Sequence, residues 1–248
     1  MVLSQPKQMG SSKALERFHS RSTKLWHFYT ITNGLLEVRS AAARQRRRAG
    51  SATKGLHEDW LTTRLEPWEL GSGLGVGPSD FRGYFGLLED LYVVRQVDYF
   101  NLFLAELFLE IADRRPQVLA SEGKVEVSLL IESESLRDVK ALIANRKAIE
   151  ISHGGLSTIL QYFRDGLKVR VELEGGDLRR VKELIAIRNL LVHHDGLITE
   201  RFLIETKWPK GRIGRRIEIV DDLLEEHHRS SDLVAAKLSG AAVAKFDL

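Results

Sequence analysis

The chain has no cysteine, which excludes disulfides, thiolate metal ligands and a thiol nucleophile. That absence fits a reducing compartment. No apolar run approaches the roughly 20 residues that cross a bilayer. The opening residues, Met1 to Gly10, lack the apolar centre of a secretory leader. The expectation is a soluble, cytoplasmic protein with no membrane partner. The eight histidines are scattered without metal-ligand spacing, so neither a metal nor a cofactor is expected. Acid is scarce at one end: residues 1 to 55 hold eleven Lys or Arg against two Glu. With a net charge of +3, the rest of the chain is mildly acidic. A basic arm on such a body suits an anionic partner, RNA being the obvious one; a solvated tail is the plain alternative. On this reading, deleting residues 1 to 55 weakens RNA binding and spares the fold.

What is present is chiefly helical periodicity. At 248 residues the chain can bury a core unaided by metal or disulfides. The first 75 residues carry little pattern beyond an apolar knot, Leu25 to Tyr29, and the basic run Ala41 to Arg48, whose Arg44, Arg46, Arg47 and Arg48 are candidate phosphate contacts. Gly71 to Pro78 alternates glycine every second residue, matches neither phosphate-binding fingerprint, and reads as a linker. From Ser79 or Asp80 a long helix runs to about Arg114 and stops at Pro116. A segment at Val125 to Ile131 is strand or helix. Helices follow from Ser133 or Ser135, from Leu156, from Leu178 to His194, from Thr199, and from Asp221 to Lys245, with short extended links at 169–173 and 215–220. The expected class is all-α: a basic N-terminal extension with its linker over 1–78, then a helical bundle over 79–248.

One helix carries the chemistry. With Val181 set at zero, Leu178, Leu184, Ile185 and Val192 form the expected core stripe, and Leu190 and Ile187 lie on the far side. Arg188 falls inside the stripe, where a guanidinium needs a partner or a cleft. Asn189 and His193 are four apart and share a face. Gly175-Gly176-Asp177 reads as a turn with Asp177 as N-cap, and Gly196 as the C-cap. A cation, an amide and an imidazole at one helix end suit a phosphodiester: charge for the phosphate, a ring for proton transfer. An Arg and a His five apart also arise by chance, and a lone His near a helix end is commonly a cap.

Ile187-Arg188-Asn189-Leu190-Leu191-Val192-His193-His194-Asp195-Gly196 resembles the signature of HEPN domains: Arg, a polar residue, a few apolar residues, then His. Val181 to Ile185 and the Asp98 to Arg115 helix with its Arg114-Arg115-Pro116 end are similar too, so the likeness spans roughly residues 80 to 210. It implies a HEPN-like helical bundle that dimerises through its motif helices, many members being metal-independent endoribonucleases acting as toxins or in phage defence. Carried over, Arg188 would hold the scissile phosphate, His193 would move the proton, and Asn189 would orient one or the other. The nucleophile would be the 2′-hydroxyl, giving a 2′,3′-cyclic phosphate and sparing DNA. RNA, a second copy, and an antitoxin or regulatory protein are the implied partners. His194 departs from the pattern, as a second proton carrier or a surface residue.

Two other readings stand beside this one: a non-catalytic HEPN-like module that binds RNA or protein, and a structural dimer in which Arg188 pairs with an acid. Glu225-Glu226-His227-His228 diverges around its helix and reads as a solvated face, not a metal site. Asp80, Glu89, Asp90 and Asp98 read as exposed charges or caps, and Ser72 and Ser79 lack a nucleophile context. Lys207, Trp208, Lys210 and Arg212 form a second basic patch along which RNA could lie, with Trp208 as a stacking platform or as part of a plain loop.

Overall fold

A computed structural model describes residues 11–49, 80–121, 133, 135–208 and 211–248, with side chains omitted at 42–49, 80–82 and 121. The segments 71–78 and 125–131 lie outside the described residues. The described part of the chain is mostly helical: α1 (Lys13–Ala49), α2 (Asp80–Arg114), a 3-10 turn (Pro116–Ser121), α3 (Leu136–His153), α4 (Leu156–Gln161) running into a π turn (Tyr162–Gly166), α5 (Gly175–His194), α6 (Glu200–Thr206) and α7 (Asp221–Phe246). Among the described residues there is no strand, only an isolated antiparallel bridge between Leu197 and Arg216. No described helix is long and apolar enough to cross a membrane.

The chain divides into two compact units, residues 1–23 with 94–248, and residues 24–93. This differs from an extension ending at residue 78. Ala14, Leu15 and Phe18 of α1 are buried in the core of the first unit with Phe100, Phe103, Leu107 and Phe108 of α2. The basic composition of the arm conceals this because two of its cations, Arg17 and Arg21, pair with acids of α2. Arg17 binds Glu106 at 2.9 Å and Glu110 at 2.8 Å, and Arg21 binds Glu106 at 3.0 Å. Behind them the buried Ser22 hydroxyl lies 3.2 Å from Asp232 Oδ1 and 3.4 Å from His228 Nδ1, and accepts from Gln96 Nε2 at 3.1 Å. These bonds satisfy polar groups that would otherwise be costly to bury. The second unit holds an aromatic cluster of its own, in which the Tyr92 ring lies 5.5 Å from that of Trp26 and 5.1 Å from that of Tyr29.

Helix α7 runs through the first unit with Val234, Ala235, Leu238, Ser239 and Ala242 buried, and the small Ala235, Ser239 and Ala242 let its neighbours approach closely. Its main partner is α5, which also packs on α6. The start of α5 corrects the sequence reading. Gly175 and Gly176 are already helical, Glu174 is the N-cap without a side-chain bond, and Asp177 instead accepts the Ser230 hydroxyl at 3.0 Å. At the far end Asp195 and Gly196 (φ 72°) both take the left-handed conformation, and the amide of Gly196 donates to the Leu190 carbonyl at 3.0 Å, closing the helix in a wide turn.

Candidate functional site on helix α5

The core-facing stripe of α5 is rotated from the expected one. Val181, Leu184, Ile187 and Leu190 are buried, whereas Val192 is 47% exposed. Periodicity alone placed the stripe by its most numerous apolar residues; packing on α7 and α6 selects the Ile187 and Leu190 side. The rotation puts Arg188 at the edge of the core, with 28% of its side chain accessible. Its Nη2 lies 3.6 Å from Asp98 Oδ1 on α2, and its buried Nε has no hydrogen-bond partner. Asp98 was expected to be an exposed charge; nothing in its own segment signals this partner on another helix.

Asn189 and His193 are exposed and line one cleft of about 250 Å³ with Thr199, Arg201 and Glu205 of the α6 segment. Thr199 caps α6 by accepting the Phe202 amide at 3.2 Å, which fixes where that wall begins. Arg201 holds Glu205 at 2.7 Å across one helical turn. Asn189, Arg201 and Glu205 also line an adjoining cleft of about 620 Å³ with Arg179, Lys182 and Glu183. Burial lifts the Glu183 carboxyl above its ordinary range, against the opposing pull of Arg179 and Arg180. Arg188 lines neither cleft. Five residues on from it, His193 is turned by about 140° around an ideal helix, with Val192 and Asn189 between them. The two motif side chains thus bracket the exposed arc of α5 and do not meet within one chain. His194 is exposed beside His193 in the smaller cleft.

Of the second basic patch, Lys207, Trp208 and Arg212 are among the described residues. Trp208 is half-buried with its ring 5.7 Å from that of Phe202, so this face is packed. Lys207 and Arg212 are exposed and line neither cleft, and Lys210 lies outside the described residues. The side chains of Arg44, Arg46, Arg47 and Arg48 also lie outside them, on the last turns of α1. Among the described residues no group of three or more His, Asp or Glu is placed to hold a metal. Sequence reasoning missed Arg179, Lys182 and Arg201; the first two share the Asn189 side of α5 and could have been found by extending that face one turn at a time.

Compared with known proteins, the chain matches no family model, no curated protein and no solved structure.

Proposed function

We propose that the protein is a metal-independent endoribonuclease of HEPN type, with His193 as the proton-transfer group. The observation that carries the reading is one cleft holding an imidazole, a carboxamide and a guanidinium, those of His193, Asn189 and Arg201. In that arrangement a phosphodiester sits against Arg201, Asn189 orients it, and the His193 ring takes the 2′-hydroxyl proton or donates one to the departing 5′-oxygen. The 2′-oxygen bonds to phosphorus as the 5′-oxygen leaves, giving a 2′,3′-cyclic phosphate. A second copy apposed along the exposed arc of α5 would bring its Arg188 toward this cleft. Val192 and Leu102, exposed at 47% and 39%, support such apposition; Leu102 lies one turn beyond Asp98 on α2. A toxin or defence role is the setting the HEPN resemblance implies.

The Arg188–Asp98 pair favours a second reading, a HEPN-like module that binds RNA without cutting it, with Arg188 serving the fold. Incubating the full chain with RNA in EDTA separates the two. The nuclease reading expects cleavage to 2′,3′-cyclic ends, no action on DNA, and losses of at least about 100-fold in His193→Ala and Arg188→Ala. Absence of cleavage, or cleavage indifferent to both substitutions, sinks it. Salt-sensitive RNA binding that survives both supports the module.

A further inference from the structure

The His193 cleft is one end of a longer channel. It shares Asn189 and Arg201 with the cleft of about 620 Å³, which shares Ser157, Leu178 and Lys182 with a third of about 480 Å³, lined also by Arg164, Arg170 and Leu160. All three follow one side of α5, and from Lys182 to His193 that side spans about 16 Å. Five Lys or Arg line the channel against two Glu, one of which, Glu205, is held by Arg201. Arg170, Arg179 and Lys182 are exposed, so their charges are offered to a ligand, whereas Arg164 is paired with Asp165 at 2.9 Å and Arg201 with Glu205. Between them the floor is aliphatic, with Leu160, Val171, Leu178 and Ile185.

We propose that this channel is a track for unpaired RNA, entering past Arg170 and Lys182 and ending at His193. A ligand that matches it carries several negative charges beside apolar surface. A duplex offers the charge but stacks its bases away, whereas a single strand presents both. The track holds about 4 nucleotides, the low end of what single-strand sites cover. It deepens the nuclease reading and rests on it only for the function of the His193 end, since binding along the channel does not require turnover.

The test uses the full-length His193→Ala chain, so that bound RNA persists, with a labelled octauridylate followed by fluorescence anisotropy over a salt series. Replacing Arg170 and Lys182 together by Glu is expected to weaken binding at least about tenfold and to reduce the salt slope by about 1.4. The Gln pair, retaining shape without reversing charge, gives a smaller loss of the same sign. Charge reversal at Arg137 and Lys140, exposed on α3 and outside the channel, leaves affinity unchanged. The track is overturned by no octauridylate binding, by equal loss from both pairs, by no loss from the channel pair, or by tighter binding of an eight-base-pair duplex or of an acidic peptide of equal charge. With His193 intact, the channel pair should slow cleavage of long RNA more than cleavage of a dinucleotide, and equal slowing of both overturns the track. Channel-dependent binding with no cleavage of any RNA would defeat the nuclease reading and leave the track standing.

Discussion

At the scale of single residues, His227 shows how far a side chain can depart from its sequence context. It follows two glutamates on α7 and reads as solvated, yet it is fully buried with neither ring nitrogen hydrogen-bonded. Its nearest acid is Glu183, with Oε1 at 3.9 Å. Burial pushes the imidazole from 6.5 down to about 4, opposed weakly by Glu226 and aided by Arg180. The folded state therefore keeps this ring neutral while the unfolded chain protonates below about pH 6.5. Stability is fully present above that value and falls as the pH drops toward 4, by about 3 kcal/mol in all. Half-buried His228 is lowered in the same direction, desolvation outweighing Asp232, and adds to the acid loss. Glu183, raised by burial, acts oppositely over the lower part of the window. Urea denaturation at pH 7 and pH 5 checks this: His227→Leu should flatten the acid-side slope, and an unchanged slope would assign it elsewhere.

At the scale of elements, the groove depends on where α5 ends and α6 begins. Gly196 occupies the left-handed region at φ 72°, and a β-carbon there would stand 3.1 Å from Arg216 Nη1. That guanidinium is engaged with the Asp195 carbonyl, so it has little freedom to withdraw. Gly196→Ala should cost about 1–2 kcal/mol from backbone strain. Because the turn sets the spacing of His193 from Arg201, it should also slow RNA cleavage; thermal melting and initial rates measure the two effects. A variant as stable and as active as the parent would show that the turn tolerates a side chain. The bonds flanking this turn, Ile198 N–H to Arg215 O and Ile217 N–H to Gly196 O, both at 2.8 Å, fasten the returning strand-like segment to the start of the α6 wall.

At the scale of the molecule, the start of α1 belongs to the core of the first unit, and predictions about truncation change accordingly. Phe18 is fully buried and its ring lies 5.4 Å from that of Phe103. Phe18→Ala should cost about 3–5 kcal/mol, and removing residues 1–23 should abolish cooperative unfolding altogether, as circular dichroism would show. The proposed apposition along α5 gives a second prediction at this scale. Val192→Glu places a charge on the exposed arc, so sedimentation should show a monomer where the parent is a dimer, with cleavage lost and octauridylate binding retained. A parent that is monomeric at all concentrations would remove Arg188 from the catalytic account.

Helical class, the long helix to Arg114, the helix from Leu156 and the helices ending at His194 and starting after Thr199 were all legible along the chain, because periodicity, caps and breakers act within a few residues. The local chemistry of Asn189 and His193 on one face was legible for the same reason. Three things were decided only by packing: which side of α5 meets the core, that Arg188 turns toward Asp98, and that Phe18 and His227 are buried. Each depends on a partner brought close by the fold from a distant part of the chain. Local pattern names the surfaces a helix has, and only the neighbours that cover it determine which surface stays open to a ligand.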